Sequence, residues 1–247
     1  MKVDYLCNSW QFMLQQLVYL IGKGYYNYYV GLIPLDKADK AKKIDKKIIN
    51  KYNIDLSKYQ RSRRKAKGLA NFYYLRWKNV FVILHTDGDI EECIKENMDD
   101  KFYDIRVHQK EINRLNIPIS NVVSFNIVMH SNKSQKRTVT VVYSNSTFKE
   151  FKEDLDEILK YRNLNKLKTY FDKLACFPAW SGIIKQNKLL LDEVYKLAKK
   201  YSLNTKKKRL IKYPKEYSSL LEFPYQIRTF REPVNKEYSN ENIKDWL

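Results

Sequence analysis

Apolar residues crowd positions 9–22, where Trp10, Phe12, Met13, Leu14, Leu17, Val18, Leu20 and Ile21 cover more than one face of a helix. A helix patterned this way needs partners on several sides, so it is expected to be buried. The aromatic run Tyr25–Val30 follows, and Gly31 and Pro34 break the pattern. From Asp36 a second helix is predicted, with Ala38, Ala41, Ile44, Ile48 and Tyr52 on one side and lysines on the other. A third, basic segment over 56–67 stops at Gly68.

Residues 80–85, Val-Phe-Val-Ile-Leu-His, are apolar without alternation and end at Thr86-Asp87-Gly88-Asp89, the pattern of a strand covered on both faces. A shorter strand is predicted over 102–107, and 122–129 with 137–143 read as a hairpin across the polar stretch 131–135. Together these four segments predict an α+β fold built on one four-stranded, largely antiparallel sheet. Thr147-Phe148-Lys149-Glu150 reads as a capping box opening a helix whose stripe is Phe148, Phe151, Leu155, Ile158 and Leu159. A short helix runs to Leu174. After a break at 177–182, Ile183, Leu190, Val194, Leu197 and Tyr201 predict a long helix with Lys185, Lys188, Lys196 and Lys199 opposite. Residues 204–247, with Pro214, Pro224 and Pro233, lack periodicity and read as an extended arm. The organisation expected is a basic helical region 1–78, an α/β core 79–203 and a basic arm 204–247.

Charge changes this picture from a fold to a function. The formal net charge is +19 over 247 residues. Residues 36–67 hold thirteen Lys or Arg against four Asp, and residues 194–215 hold nine against no acid, so the rest of the chain is nearly neutral. Charge concentrated in two stretches repels itself unless a polyanion offsets it, and phosphate backbones are the commonest such partner. The sequence therefore predicts a protein that binds DNA or RNA, such as a replication or transposition factor of a mobile element. A structural role in a ribonucleoprotein, with basic arms threaded between RNA segments, is the second binding role considered. Candidate phosphate contacts are Arg61, Arg63, Arg64, Lys65 and Lys67, then Lys185, Lys188, Lys196 and Lys199, then Lys206, Lys207, Lys208 and Arg209. Between the first two groups, Tyr73, Tyr74, Arg76 and Trp77 alternate rings with cations, the combination that stacks unpaired bases while holding backbone.

A catalytic alternative rests on His85, Asp87 and Asp89. Two carboxylates one residue apart at a strand end can hold Mg²⁺, and a histidine beside them can serve as base in phosphodiester cleavage, with His130 joining if its strand lies next to that of His85. Such a nuclease would need the metal; a plain binder needs no cofactor. With six glycines and no phosphate-binding glycine loop, dinucleotide fingerprint or kinase signature, a nucleotide-driven motor is not expected. No stretch approaches the roughly 20 apolar residues of a membrane span, Gln15 and Gln16 interrupting the best one, and no membrane partner is expected. Met1–Asp4 lack the basic region and apolar core of a secretory signal, and Cys7, Cys93 and Cys176 fit neither a disulfide framework nor a zinc site; both point to an intracellular location, cytoplasm or nucleoid. Nothing in the sequence sets an oligomeric state.

Overall fold

β-Branched and aromatic residues build the first sheet from β1 (Asn27–Leu32), β2 (Phe72–Trp77), β3 (Val80–His85) and the two-residue edge strand β4 (Tyr103–Asp104). These elements come from a computed structural model that describes residues 5–201 apart from 97, 99–100, 108–109 and 132–136. The order is β2-β3-β1-β4 and each pairing is antiparallel. As its unbroken apolar run requires, β3 lies inside the sheet and is buried at every position. The fold is α+β around a four-stranded antiparallel sheet, as expected, but its membership differs from the expectation. The aromatic run Tyr25–Val30, expected to end at a break at Gly31, instead runs through Gly31 in a strand: the Phe81 ring sits across the strand pair from Gly31, where a Cβ would lie 2.1 Å from its Cζ, so glycine continues the strand by making room.

Alternation along the strands sends Phe72, Tyr74, Arg76, Phe81, Ile83 and His85 to one face and Leu75, Trp77, Val80, Val82 and Leu84 to the other. The first face packs with Ile33, Tyr52 and Ile54 and with the partly buried Ile44, Ile48 and Ile49 of α2 (Ala41–Lys51). α1 (Trp10–Gly22) packs on β2, burying Met13, Leu14, Leu17, Leu20 and Ile21, in keeping with its several apolar faces. Where one helix was expected from Asp36, a 3₁₀ stretch over Leu35–Lys40 leads into α2. Two short helices, α3 (Lys58–Ala66) and α4 (Glu92–Lys95), lie in the connections.

The segments 122–129 and 137–143, expected beside β3, belong to a separate three-stranded sheet: β5 (Asn116–Pro118), β6 (Ser124–Ser131) and β7 (Arg137–Tyr143), in the order β5-β6-β7. They are displaced because β1 and β2 already occupy both sides of β3. Among the described residues the chain divides into two units, 5–118 with 126–139, and 119–125 with 140–201. The second unit contains α5 (Asn145–Lys160), α6 (Leu164–Ala175) and α7 (Ser181–Lys200), with α5 packed on both others and an aromatic core of Phe125, Tyr143, Phe151 and Phe177. The capping box read at Thr147 lies one turn late. Ser144 is the cap, its hydroxyl accepting the Thr147 N–H at 3.1 Å, while the buried Thr147 hydroxyl donates to the Val122 carbonyl at 2.9 Å. No helix among the described residues is long and apolar enough to cross a membrane.

Candidate nucleic-acid interface

α2 converts its composition into a surface of one sign. Its one acid, Asp45, is fully buried, where Oδ1 and Oδ2 accept Nε–H and Nη2–H of Arg76, each at 2.8 Å, and Oδ1 also accepts the Tyr74 hydroxyl at 2.7 Å. Arg76 completes its donors on the Lys78 carbonyl. With the carboxylate neutralised inside, the outer side of α2 carries Lys42, Lys43, Lys46 and Lys47, all exposed and neighbours at helical spacing. The apolar residues beneath hold that row in place.

α3 is built differently. Ser57 and Gln60 form a capping box, with the Ser57 hydroxyl accepting the Gln60 N–H at 3.2 Å and Gln60 Oε1 accepting the Ser57 N–H at 2.8 Å. Arg63, Arg64 and Lys65 fall in its last turn, where cations suit the helix dipole. None of its residues is buried. The attachment is made by two of the cluster's arginines. Arg64 donates to Glu91 Oε1 at 2.9 Å and to the Ala70 carbonyl at 3.0 Å; Arg61 donates to the Ile54 carbonyl at 3.1 Å and lies 4.8 Å over the Tyr73 ring. Asn71 ties the helix further by donating to the Arg61 carbonyl at 3.0 Å. Of the five cations expected to meet phosphate here, Arg61 and Arg64 are thus turned into the fold, and Arg63, Lys65 and Lys67 remain exposed. Lys58 and Tyr59 join them on the outer side.

The strand 72–77 does not present the rings expected of it. Tyr74, Arg76 and Trp77 are buried, because β2 has helices on both faces and Arg76 is drawn in by Asp45. Tyr73 alone of the three rings is half-exposed, and it is flanked by Arg61 and by the edge of Tyr25 at 6.0 Å. Burial raises the Tyr25 phenol above its ordinary pKa, with Arg61 opposing.

At the other end of β3 the turn His85–Asp89 keeps its shape through the backbone. The Asp89 N–H donates to the Gly68 carbonyl at 2.8 Å and its carbonyl accepts the Ala70 N–H at 2.9 Å. Gly88 (φ +130°) lies so close that a Cβ would sit 2.5 Å from the Gly68 oxygen. His85 is buried between Phe72 and Phe102, each ring 4.9 Å away, with Nδ1 2.9 Å from the Thr86 carbonyl, which as an acceptor fixes the proton on that nitrogen. Burial pushes its pKa down, partly offset by that hydrogen bond. Asp87 gives both oxygens to Arg106 at 2.7 Å, and the same guanidinium holds Asp104 at 2.7 Å and lies 4.4 Å over Tyr26. Burial would raise the Asp104 carboxyl, but the Arg106 hydrogen bonds outweigh it and hold the group below its ordinary value. An arginine here supplies the counter-charge for Asp87. The neighbours of β3 are β1 and β2, so His130, exposed at the end of β6 in the other sheet, is not on an adjoining strand. No group of three His, Cys, Asp or Glu able to hold a metal occurs among the described residues.

In the second unit Lys185, Lys188, Lys196 and Lys199 are exposed along α7, as its spacing predicts. Their field is diluted: Asp192 is exposed among them, Glu193 pairs with Lys196 at 3.3 Å, and Asp156 of α5 takes Lys200 at 2.9 Å. Lys206, Lys207, Lys208 and Arg209, with the arm 204–247, lie outside the described residues.

Sequence reasoning missed Tyr59, Tyr26 and Arg106. For Tyr59 the signal was there, an aromatic residue in a helix with no apolar stripe to belong to; for Arg106 the nearby Asp104 was visible two residues before it, but the second carboxylate, Asp87, is brought to it only by the fold. No protein-family model, curated protein or solved structure matches the chain.

Proposed function

We propose that the protein binds nucleic acid through the exposed sides of α2 and α3. The observation that carries this reading is the division of charge on these helices. The acid of α2 is buried against Arg76, two arginines of α3 anchor the fold, and what remains outside is Lys42, Lys43, Lys46, Lys47, Lys58, Arg63, Lys65 and Lys67. Cations at this density on adjacent turns gain affinity for a phosphate backbone by releasing its condensed counterions. Folding stability gives no reason to keep them, because like charges at helical spacing repel.

Titration of labelled single-stranded and duplex oligonucleotides at low salt tests this reading. The wild type should bind, and replacing Lys42, Lys43, Lys46 and Lys47 together by Gln should weaken binding at least tenfold while leaving the melting temperature unchanged or slightly higher. Equal binding by both proteins, or tighter binding to anionic vesicles than to any oligonucleotide, would overturn it.

A further inference from the structure

The shape of α3 specifies more than attraction to phosphate. We propose that Tyr59, backed by Arg63, is a stacking platform for an unpaired base, so that the partner is a single strand or a loop and not a continuous duplex. This deepens the nucleic-acid reading of α3 and rests on it.

Tyr59 is 65% exposed. Its ring is nevertheless held in one orientation, because the Arg63 guanidinium lies 4.4 Å from the ring centroid and Nη2–H donates to the phenol oxygen at 3.0 Å. One face therefore rests on a cation, and the large exposed fraction leaves the other open. The folding of the helix does not require a ring there. α3 buries no residue, its cap is made by Ser57 and Gln60, and its attachment by Arg61, Arg64 and Asn71, so Tyr59 contributes to none of the contacts that hold the helix. No ion pair engages Arg63 among the described residues, which leaves its charge for a phosphate beside the stacked base. Lys58 precedes Tyr59, Ser62 follows it by about one turn and Lys65 within two, and all three are exposed.

A ring on a helix surface can reach the face of a base only where that base has left its stack; in a duplex only the edges are presented. The stacking expected of the strand 72–77 is thereby relocated. Tyr74 and Trp77 are core, and Tyr73 already has Arg61 over one face and Tyr25 against it. Tyr59 is the ring in this part of the chain that combines exposure, a fixed orientation and a free cation.

Fluorescence anisotropy with labelled oligothymidylate and with a blunt hairpin duplex tests this on the full chain. Base stacking is worth about 1–3 kcal/mol, so Tyr59→Ala should lower single-strand affinity about 5- to 150-fold. Tyr59→Phe should retain most of that affinity and Tyr59→Leu should not, which separates loss of the ring from fraying of the helix. Duplex affinity and the salt dependence should be unchanged by all three, since no charge is removed. If Tyr59→Ala binds the single strand as the wild type does, while Arg63→Gln with Lys65→Gln weakens it, the helix binds nucleic acid but the ring is not a platform. If the charge variants also bind unchanged, or the wild type binds neither probe, the underlying reading fails and the platform with it.

Discussion

α2 and α3 are consecutive basic helices of the same unit, eleven and nine residues long, yet they are held by opposite means. α2 lies on the core through isoleucines and buries its one acid against Arg76. α3 has no apolar stripe and is tied down by Arg61 and Arg64. The cations of a basic cluster are therefore not equivalent. In α2 the scaffold is apolar and every exposed lysine is available to a partner; in α3 some of the cations are the scaffold. A segment fixed by hydrogen bonds at the surface also opens more easily than one fixed by burial, and it can adjust to a ligand.

The contrast can be broken at its strongest point first. Asp45→Ala leaves Arg76 buried without a counter-charge and frees the Tyr74 hydroxyl, so global stability in urea should fall by about 3–5 kcal/mol. Asp45→Leu combined with Arg76→Met should recover most of the loss, because it removes both buried charges. A loss below about 1 kcal/mol for Asp45→Ala would mean that the pair does not anchor α2. On α3, Arg64→Ala removes hydrogen bonds to Glu91 and to the Ala70 carbonyl, worth about 1–3 kcal/mol. The expected effect is local: amide exchange over 57–67 should accelerate while exchange in β3 stays slow. Uniform acceleration through β3 would show that α3 belongs to the cooperative core.

A smaller effect tests the turn at the end of β3. Burial holds the His85 pKa below its ordinary value, so the unfolded chain takes up the proton first as pH falls. The stabilisation is complete above about pH 6.5 and is lost as pH drops toward the lower folded value. His85→Phe, which takes the ring's place between Phe72 and Phe102, should flatten the pH dependence of stability below about pH 7. Asp104 has the same sign at lower pH: its stabilisation is present above about pH 4 and is lost below it. An identical slope in wild type and His85→Phe would contradict the buried, neutral histidine.

Much of the contrast between α2 and α3 was legible in advance, and the part that was not has a physical cause. The strand 80–85 and the helices on Met13, Ile44 and Leu190 follow from apolar period alone, since burial of a stripe leaves few alternatives. α2 carries a second pattern: Asp45 lies in phase with Ala41, Ile48 and Tyr52, and an acid on an apolar stripe signals a buried partner. Arg76 is in phase with Phe72 and Tyr74 on β2, which identifies that partner. The two facts together would have turned the strand 72–77 from a surface of rings into core. No local pattern could show that Arg61 and Arg64 face inward, because their acceptors, the Ile54 and Ala70 carbonyls and Glu91, are set by how the chain turns around β2. The pairing of Asp87 with Arg106 was hidden for the same reason.

The division of arginines within α3 is the claim that everything else depends on, and the salt dependence of binding measures it directly. The slope of log affinity against log salt should be determined for the wild type, for Arg63→Gln with Lys65→Gln and Lys67→Gln, and for Arg61→Gln. Each lost phosphate contact reduces the slope by roughly 0.7–0.9, so the triple variant should lose roughly 2 to 3 units while Arg61→Gln keeps the wild-type slope. A slope reduced by Arg61→Gln and untouched in the triple variant would place the phosphate contacts on the wrong side of the helix and contradict the account.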